Sequence, residues 1–145
     1  MSDMLLLVTL AGRRAALPAE RVNSVIELTR VVPVPRAPPH IAGLAALRSR
    51  PLTIVDCSTA LGFPPPAGAR AAGRAVVVEH EGHLYGLQVD AADDIVAAAG
   101  APSAAAGDPG AGWNAVSLGT VESDAGPLLL LDIARIVSGQ AAAAA

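Results

Sequence analysis

The stretch "GLAALRSRPLTIVDCSTALG", residues Gly43 to Gly62, decides the fold, because the chain runs through the same plan a second time. An apolar run is cut by Arg48-Ser49-Arg50, and a second apolar run, Leu52 to Val55, ends on Asp56. Its counterpart is "GTVESDAGPLLLLDIARIVS", Gly119 to Ser138. In both copies a glycine precedes the aspartate by 13 positions (56 − 43 and 132 − 119), and four mostly aliphatic residues, "LTIV" or "LLLL", lead into it. Each aspartate stands between a strand and a short helix. A carboxylate there accepts the first orphan N–H groups of the helix, so Asp56 and Asp132 read as helix caps.

The echo extends upstream. "LAGRRAALPAERVNSVIE" is matched by "EHEGHLYGLQVDAADDIVA", with Gly12, Leu17 and Val25 recurring as Gly82, Leu87 and Ile95, 70 positions on (82 − 12, 87 − 17, 95 − 25). Each half therefore reads as strand, turn, strand, variable loop, strand, turn, strand ending on Asp, then a short helix. "LLLVTL" is the first strand, "RAVVVE" begins the second half, and "EHEGHLYGLQV" is a hairpin turning near Glu81-Gly82. Val22, Val25 and Ile26 are spaced to share one side of a short helical turn. "VVPVPRAPPH" is expected to be extended, because proline removes donors and biases its predecessor away from the helix. The helix in "DIARIVSG" should stop at Gly139. "FPPPAGARAAG" and "AAAGAPSAAAGDPGAG" read as flexible loops, and the last residues as a frayed tail. No long amphipathic helices alternate with the strands, so a parallel α/β sheet is excluded. The expected class is mostly all-β, as one or two small barrels.

Composition narrows the function. The 145 residues are 52% hydrophobic and 16% charged, which suits a packed domain, but only 2% are aromatic, so the core is aliphatic. Net charge is −3 with no basic stripe. Nucleic-acid binding needs clustered Lys/Arg, and single strands also need aromatic platforms; neither is present. The single cysteine, Cys57, allows no internal disulfide, which fits a reducing cytoplasm. The apolar run near the N-terminus has no basic residues before it and is shorter than the ~20 residues that span a bilayer.

Candidate chemical groups form no reactive set. His80 and His83 are three apart across a hairpin turn, whereas the zinc-protease pair is four apart on a helix. Cys57 lacks a neighbouring base and reads as a small buried residue. Ser49, Ser58 and Ser117 stand in no nucleophile-elbow context. "GDPGAG" lacks the Lys-Ser/Thr ending of a phosphate loop. Trp113, the only tryptophan, is either a core anchor between barrels or a contact residue. Arg50 reads as solvent-exposed. Arg48 is the side chain most suited to an interface, since arginine presents a planar fork to carboxylates and is enriched at hot spots.

These segments, taken in order, resemble the CheW-like family of bacterial chemotaxis scaffolds. The resemblance covers about Leu5 to Ser138. It rests on "LLVTLAGRRAALPAERVNSVIE", on "PVPRAPPHIAGLAALRSRPLTIVDCSTALG" against the family's "P-x-x-I-x-G-x-x-N-L-R-G", on "VVVEHEGHLYGLQVDAADDIV", and on "LLLLDIARIV". Membership implies two intertwined five-stranded SH3-like barrels: one at about 15–75, completed by part of the C-terminal region, and one at 76–138, with the N-terminal strand exchanged and 139–145 as tail. It implies a cytoplasmic, non-enzymatic adaptor with no cofactor and no metal. Such an adaptor is a monomer in isolation. It joins the regulatory domain of a CheA-type histidine kinase to the tip of a methyl-accepting receptor and enters rings with the kinase, without inserting into the membrane.

Carried over residue by residue, Arg48, Val22, Ala75 and Ile95 fall at receptor-groove positions, and Ser24 and Val25 near the kinase contact. The chain departs from the family pattern at Ala46 for Asn, Ser49 for Gly, Ser24 for an acidic residue and Thr53 for the strand proline, with Pro51 displaced upstream. The alternative these departures raise is a paralogue that binds kinase but no receptor. A small ligand-binding barrel or enzyme is the remote alternative.

Overall fold

The computed structural model describes residues 4–63, 73–103 and 110–139. Most of the first expected flexible loop, part of the second and the tail lie outside the described residues. Among the described residues, ten strands and three short α-helices follow one another: β1 Met4–Leu10, β2 Arg13–Pro18, β3 Val22–Leu28, β4 Ile41–Leu47, β5 Arg50–Asp56, α1 Cys57–Ala60, β6 Gly73–His80, β7 His83–Val89, β8 Ala91–Ala97, α2 Ala111–Val116, β9 Ser117–Ser123, β10 Gly126–Leu131 and α3 Ile133–Ser138. They form two five-stranded sheets, in the orders β8-β1-β2-β10-β9 (barrel A) and β3-β6-β7-β5-β4 (barrel B).

The apolar runs follow from where these sheets sit. A strand with one wet face alternates apolar and polar residues, whereas one covered on both faces is apolar throughout. In β1, Leu5 and Leu7 point into barrel A, while Leu6, Val8 and Leu10 point into a larger core shared by both sheets. In β6, Ala75 and Val77 point into barrel B, and Val76 and Val78 into the shared core. Trp113 is 3% exposed in that shared core. It is therefore a core anchor, with the Arg13 guanidinium 5.4 Å from its ring centre and Phe63 at 6.3 Å.

The repeat is structural. Ala11-Gly12 and Glu81-Gly82 both make the hairpin turn at positive φ. Asp56 accepts from the Thr59 amide at 3.2 Å, and Asp132 from the Ala134 amide at 3.0 Å, so both cap their helices as the sequence predicts. Gly139 ends α3 in the left-handed conformation. Neither repeat builds a barrel alone. Barrel A takes the hairpin β1–β2 from the first repeat and β8, β9 and β10 from the second; barrel B takes β6–β7 from the second and β3, β4 and β5 from the first. The seams are the parallel pairs β2–β10 and β5–β7 and the antiparallel pairs β1–β8 and β3–β6. The division at 75/76 that the resemblance implied falls inside β6.

Each half contains five strands rather than the four its turn signals marked, because β3 and β8 lack clean alternation. Val22, Val25 and Ile26 lie on a strand, preceded by a single 3₁₀ turn, Ala19–Arg21. A bulge between Val22 and Ser24 adds one residue, which puts Val22 and Val25 on the same face at helix-like spacing. Ile26 faces the other way, into barrel B. The proline-rich segment is extended only in part. Val32 pairs with Leu44, and Val34–Ala37 then turns on Pro35 and Arg36, the latter at φ 64. Proline at the first central position and positive φ at the second mark a type II turn.

Candidate protein-interaction site

The predicted contact residues fall in three places. Val22 and Val25 stand opposite Val78 and Val76, on the face of β3 that packs at the margin of the shared core. Ile95, on the edge strand β8, stands directly opposite Leu6, itself part of that core. Directly opposed residues of an antiparallel pair point to the same side, so Ile95 continues the same apolar surface outward and is 47% exposed. β6 and β8, strands of different barrels, approach one another. The Arg21 guanidinium donates to the Glu79 carbonyl at 3.2 Å and ties the 3₁₀ turn to β6 beside Val22.

Ala75 does not belong to this surface. It stands opposite Ile26, is 0% exposed and points into barrel B, one residue out of phase with Val76. Its side chain offers a partner nothing to touch. Ser24 stands opposite Val77, on the face of β3 away from Val25.

Arg48 occupies the tip of the β4–β5 hairpin, at the far edge of the same sheet from β3. Arg48 and Ser49 have φ of 50° and 71°, the signature of a type I′ turn. That turn normally takes Asn-Gly, so two residues with side chains hold it under strain of roughly 1 kcal/mol each. Leu47 and Arg50 close the turn, and Pro51, which cannot donate, faces Ala46. Curling of the sheet returns this hairpin toward the end of β3. Residues Ile26 to Arg30 and Ala45 to Pro51, apart from Leu47 and Arg48, line one open cleft of about 680 Å³ together with Val32 and Leu44. The nearby ion pair Arg74–Glu27, at 4.0 Å between exposed side chains, adds little stability.

The other chemical groups occupy structural positions. Burial, with the Asp56 and Asp90 carboxylates adding to it, pushes the Cys57 thiol far up from its ordinary 9.0, which keeps it neutral and unreactive. His80 and His83 face each other beside the hairpin turn, and His80 lies against Tyr85 with ring centres 6.4 Å apart. Among the described residues no three His, Cys, Asp or Glu side chains cluster to hold a metal ion. No helix among them is long and apolar enough to cross a membrane. Sequence reasoning missed His40. It is buried, and its Nε2–H donates to the Val137 carbonyl at 2.8 Å, fastening the proline-rich segment of the first repeat to α3 of the second. No local signal marks it: it follows Pro38-Pro39 at the end of a segment that the sequence reads as extended.

Comparison with known proteins bears on this arrangement. A family model described as "CheW-like domain" matches residues 4–141. Among solved structures, a crystal structure of the scaffolding protein TtCheW from Thermoanaerobacter tengcongensis superposes with a TM-score of 0.75 at 21% identity, covering 92% of this chain and 86% of that one. Among curated proteins none matches the sequence.

Proposed function

Because this chain belongs to the CheW-like domain family, we propose that it is a non-enzymatic cytoplasmic adaptor that couples a chemoreceptor tip to a CheA-type histidine kinase. The observation that carries the reading is the Arg48 turn. It keeps positive φ at both central residues although Ser49 replaces the family's glycine. The replacement therefore leaves the turn geometry in place, and the guanidinium is held out at the tip of a short hairpin. The receptor-facing surface then comprises Arg48 and the apolar margin at Val22 and Ile95, with Ala75 supporting the sheet from inside. The kinase regulatory domain docks near Ser24 and Val25, at the start of β3.

Apolar side chains at the barrel margin suit a helical receptor tip, and the arginine at the far edge of the sheet adds a separate fork for carboxylates. Truncating such an arginine costs about 2 kcal/mol or more, which is roughly 30-fold in affinity. The test is binding of Arg48→Ala and of wild type to the cognate receptor tip, with the kinase regulatory domain as a second ligand. The expected result is a receptor affinity about 30-fold weaker with kinase affinity unchanged. Equal receptor affinity in a folded variant refutes the role of Arg48. Kinase binding without any receptor binding by the wild type identifies a paralogue that serves the kinase alone.

A further inference from the structure

The duplication supplies an internal control for the hairpin turns. The hairpins β1–β2 and β6–β7 are equivalent, and the residues that flank their turns lie 70 positions apart: Leu10 and Arg13 in one, His80 and His83 in the other (80 − 10, 83 − 13). In both hairpins the flanking residues stand directly opposite each other. They lie on the face that carries Val8 and Ala15 in one and Val78 and Tyr85 in the other, which is the face of the shared core. At β1–β2 that face is closed. Leu10 is buried, and the Arg13 guanidinium lies over the buried Trp113. At β6–β7 it is open: His80 is partly exposed and His83 exposed. The turn thus forms without histidine, and at β6–β7 it presents two imidazoles to solvent.

Glu81 and Gly82 have φ of 52° and 81°, which makes a two-residue type I′ turn. A spacing of three differs from the helical zinc pair, yet it is the spacing such a turn requires to set two side chains face to face. Directly opposed residues have Cβ atoms about 5 Å apart. An imidazole nitrogen reaches past the midpoint of that span, so both rings can close on one ion at the usual metal–nitrogen length of about 2.0–2.1 Å. Tyr85 braces one of them, its ring centre 6.4 Å from that of His80 and tilted at 57°. A braced side chain loses less freedom on binding. Glu79 and Glu81, on either side of His80, are exposed and favour a cation. The Arg21 guanidinium, on the Glu79 carbonyl at 3.2 Å, opposes them.

We propose that His80 and His83 chelate a borderline divalent transition ion, of the class of Zn(II) and Cu(II), at the β6–β7 turn. Imidazole suits these ions, whereas Mg(II) and Ca(II) take oxygen ligands. Two protein nitrogens leave the other coordination positions to water, so the ion exchanges readily and stays open to a further ligand. The site contains no residue assigned to the receptor or the kinase, and it does not depend on the adaptor reading.

The probe is Zn(II), titrated as its chloride into the full chain at neutral pH in a buffer that does not bind it, while imidazole and backbone amide signals are followed by NMR. The chain has three histidines, and His40 is buried with its Nε2–H on the Val137 carbonyl, so it serves as the internal reference. The expected result is one ion per chain, with His80 and His83 shifting along one saturable curve and His40 unmoved. His80→Gln and His83→Gln change a place where the other repeat carries Leu10 and Arg13, so both keep the fold. Because the second nitrogen binds intramolecularly, either variant alone should weaken binding at least about tenfold. Two independent imidazoles give two ions per chain and leave each single variant with its remaining site unchanged; that outcome overturns the proposal. So does the absence of His80 and His83 shifts at millimolar Zn(II), or equal shifts with Mg(II).

Discussion

Gly43→Ala tests whether barrel B is closed by the crossing segment. A Cβ built at Gly43 lies 2.3 Å from the Val32 carbonyl oxygen and 2.9 Å from Val31 Cγ1, at φ 152. To reach ordinary contact, the carbonyl must retreat from 2.3 Å to at least 3.4 Å. A retreat of that size breaks the two 2.8 Å bonds between Val32 and Leu44. Their loss costs about 1 kcal/mol each, and the backbone conformation itself costs a residue with a side chain about 1–3 kcal/mol. The sum is about 3–5 kcal/mol. Gly82→Ala is the control. Its φ is 81 and nothing lies within 4 Å of the added Cβ, so only the conformational cost of about 1 kcal/mol remains. Urea unfolding at neutral pH should therefore place the Gly43 variant at least about 2 kcal/mol below the Gly82 variant. Amide exchange at Val32 and Leu44 should speed up in the Gly43 variant alone. Equal destabilisation of the two, or retained protection at Val32 and Leu44, refutes the reasoning. Gly119→Ala, with its Cβ 2.5 Å from the Ser103 oxygen, should behave as Gly43→Ala does.

Ser49→Gly removes a side chain from a residue at φ 71. Relief of about 1–2 kcal/mol, offset by the greater backbone freedom of unfolded glycine, should stabilise the protein by ~0.5–1 kcal/mol and raise Tm by about 2–4 °C; a lower Tm by calorimetry would count against the strained turn. Cys57 supplies a pH dependence. Below its ordinary 9.0 the thiol is protonated in both states and contributes no slope; above it the unfolded chain releases the proton while the buried thiol keeps it. Stability should therefore fall above pH 9 with a slope approaching ~1.4 kcal/mol per unit. Cys57→Ala should remove that slope in denaturant titrations from pH 8 to 10.5.

The turns and caps were legible because each has a local cause. Glu81-Gly82, Asp56, Asp132 and Gly139 act within a few residues of themselves, and the structure places them as their residue types require. The fifth strand of each half was not legible. In β3 the bulge after Val22 breaks the period of two and imitates helical spacing, and in β8 the register shift beside Leu7 and Val8 has the same effect. The resemblance grouped Val22 with Ile95 and Ala75 and set Val25 apart; the bulge after Val22 instead puts Val25 on Val22's face. Ala75 falls on the other face, because one residue of phase decides between the shared core and the interior of barrel B, and an alanine fits both. The exposed pair Val32–Leu44 was hidden for another reason. The proline-rich segment reads as extended but shows no partner strand, and pairing across 12 residues (44 − 32) leaves no periodic trace.

The exchange of hairpins between the repeats governs the order in which this chain can fold. When the ribosome has released only the first repeat, the hairpin β1–β2 and the strands β3, β4 and β5 are all present, yet they belong to different barrels, and the strands that join them have not been made. The nascent half holds two unfinished sheets with apolar faces on both sides. Every seam waits for residues beyond Gly73. Folding is consequently a late event dominated by contacts distant in sequence, which makes it slow. The same arrangement makes the two halves natural complements: separately synthesised, each carries the strands the other lacks.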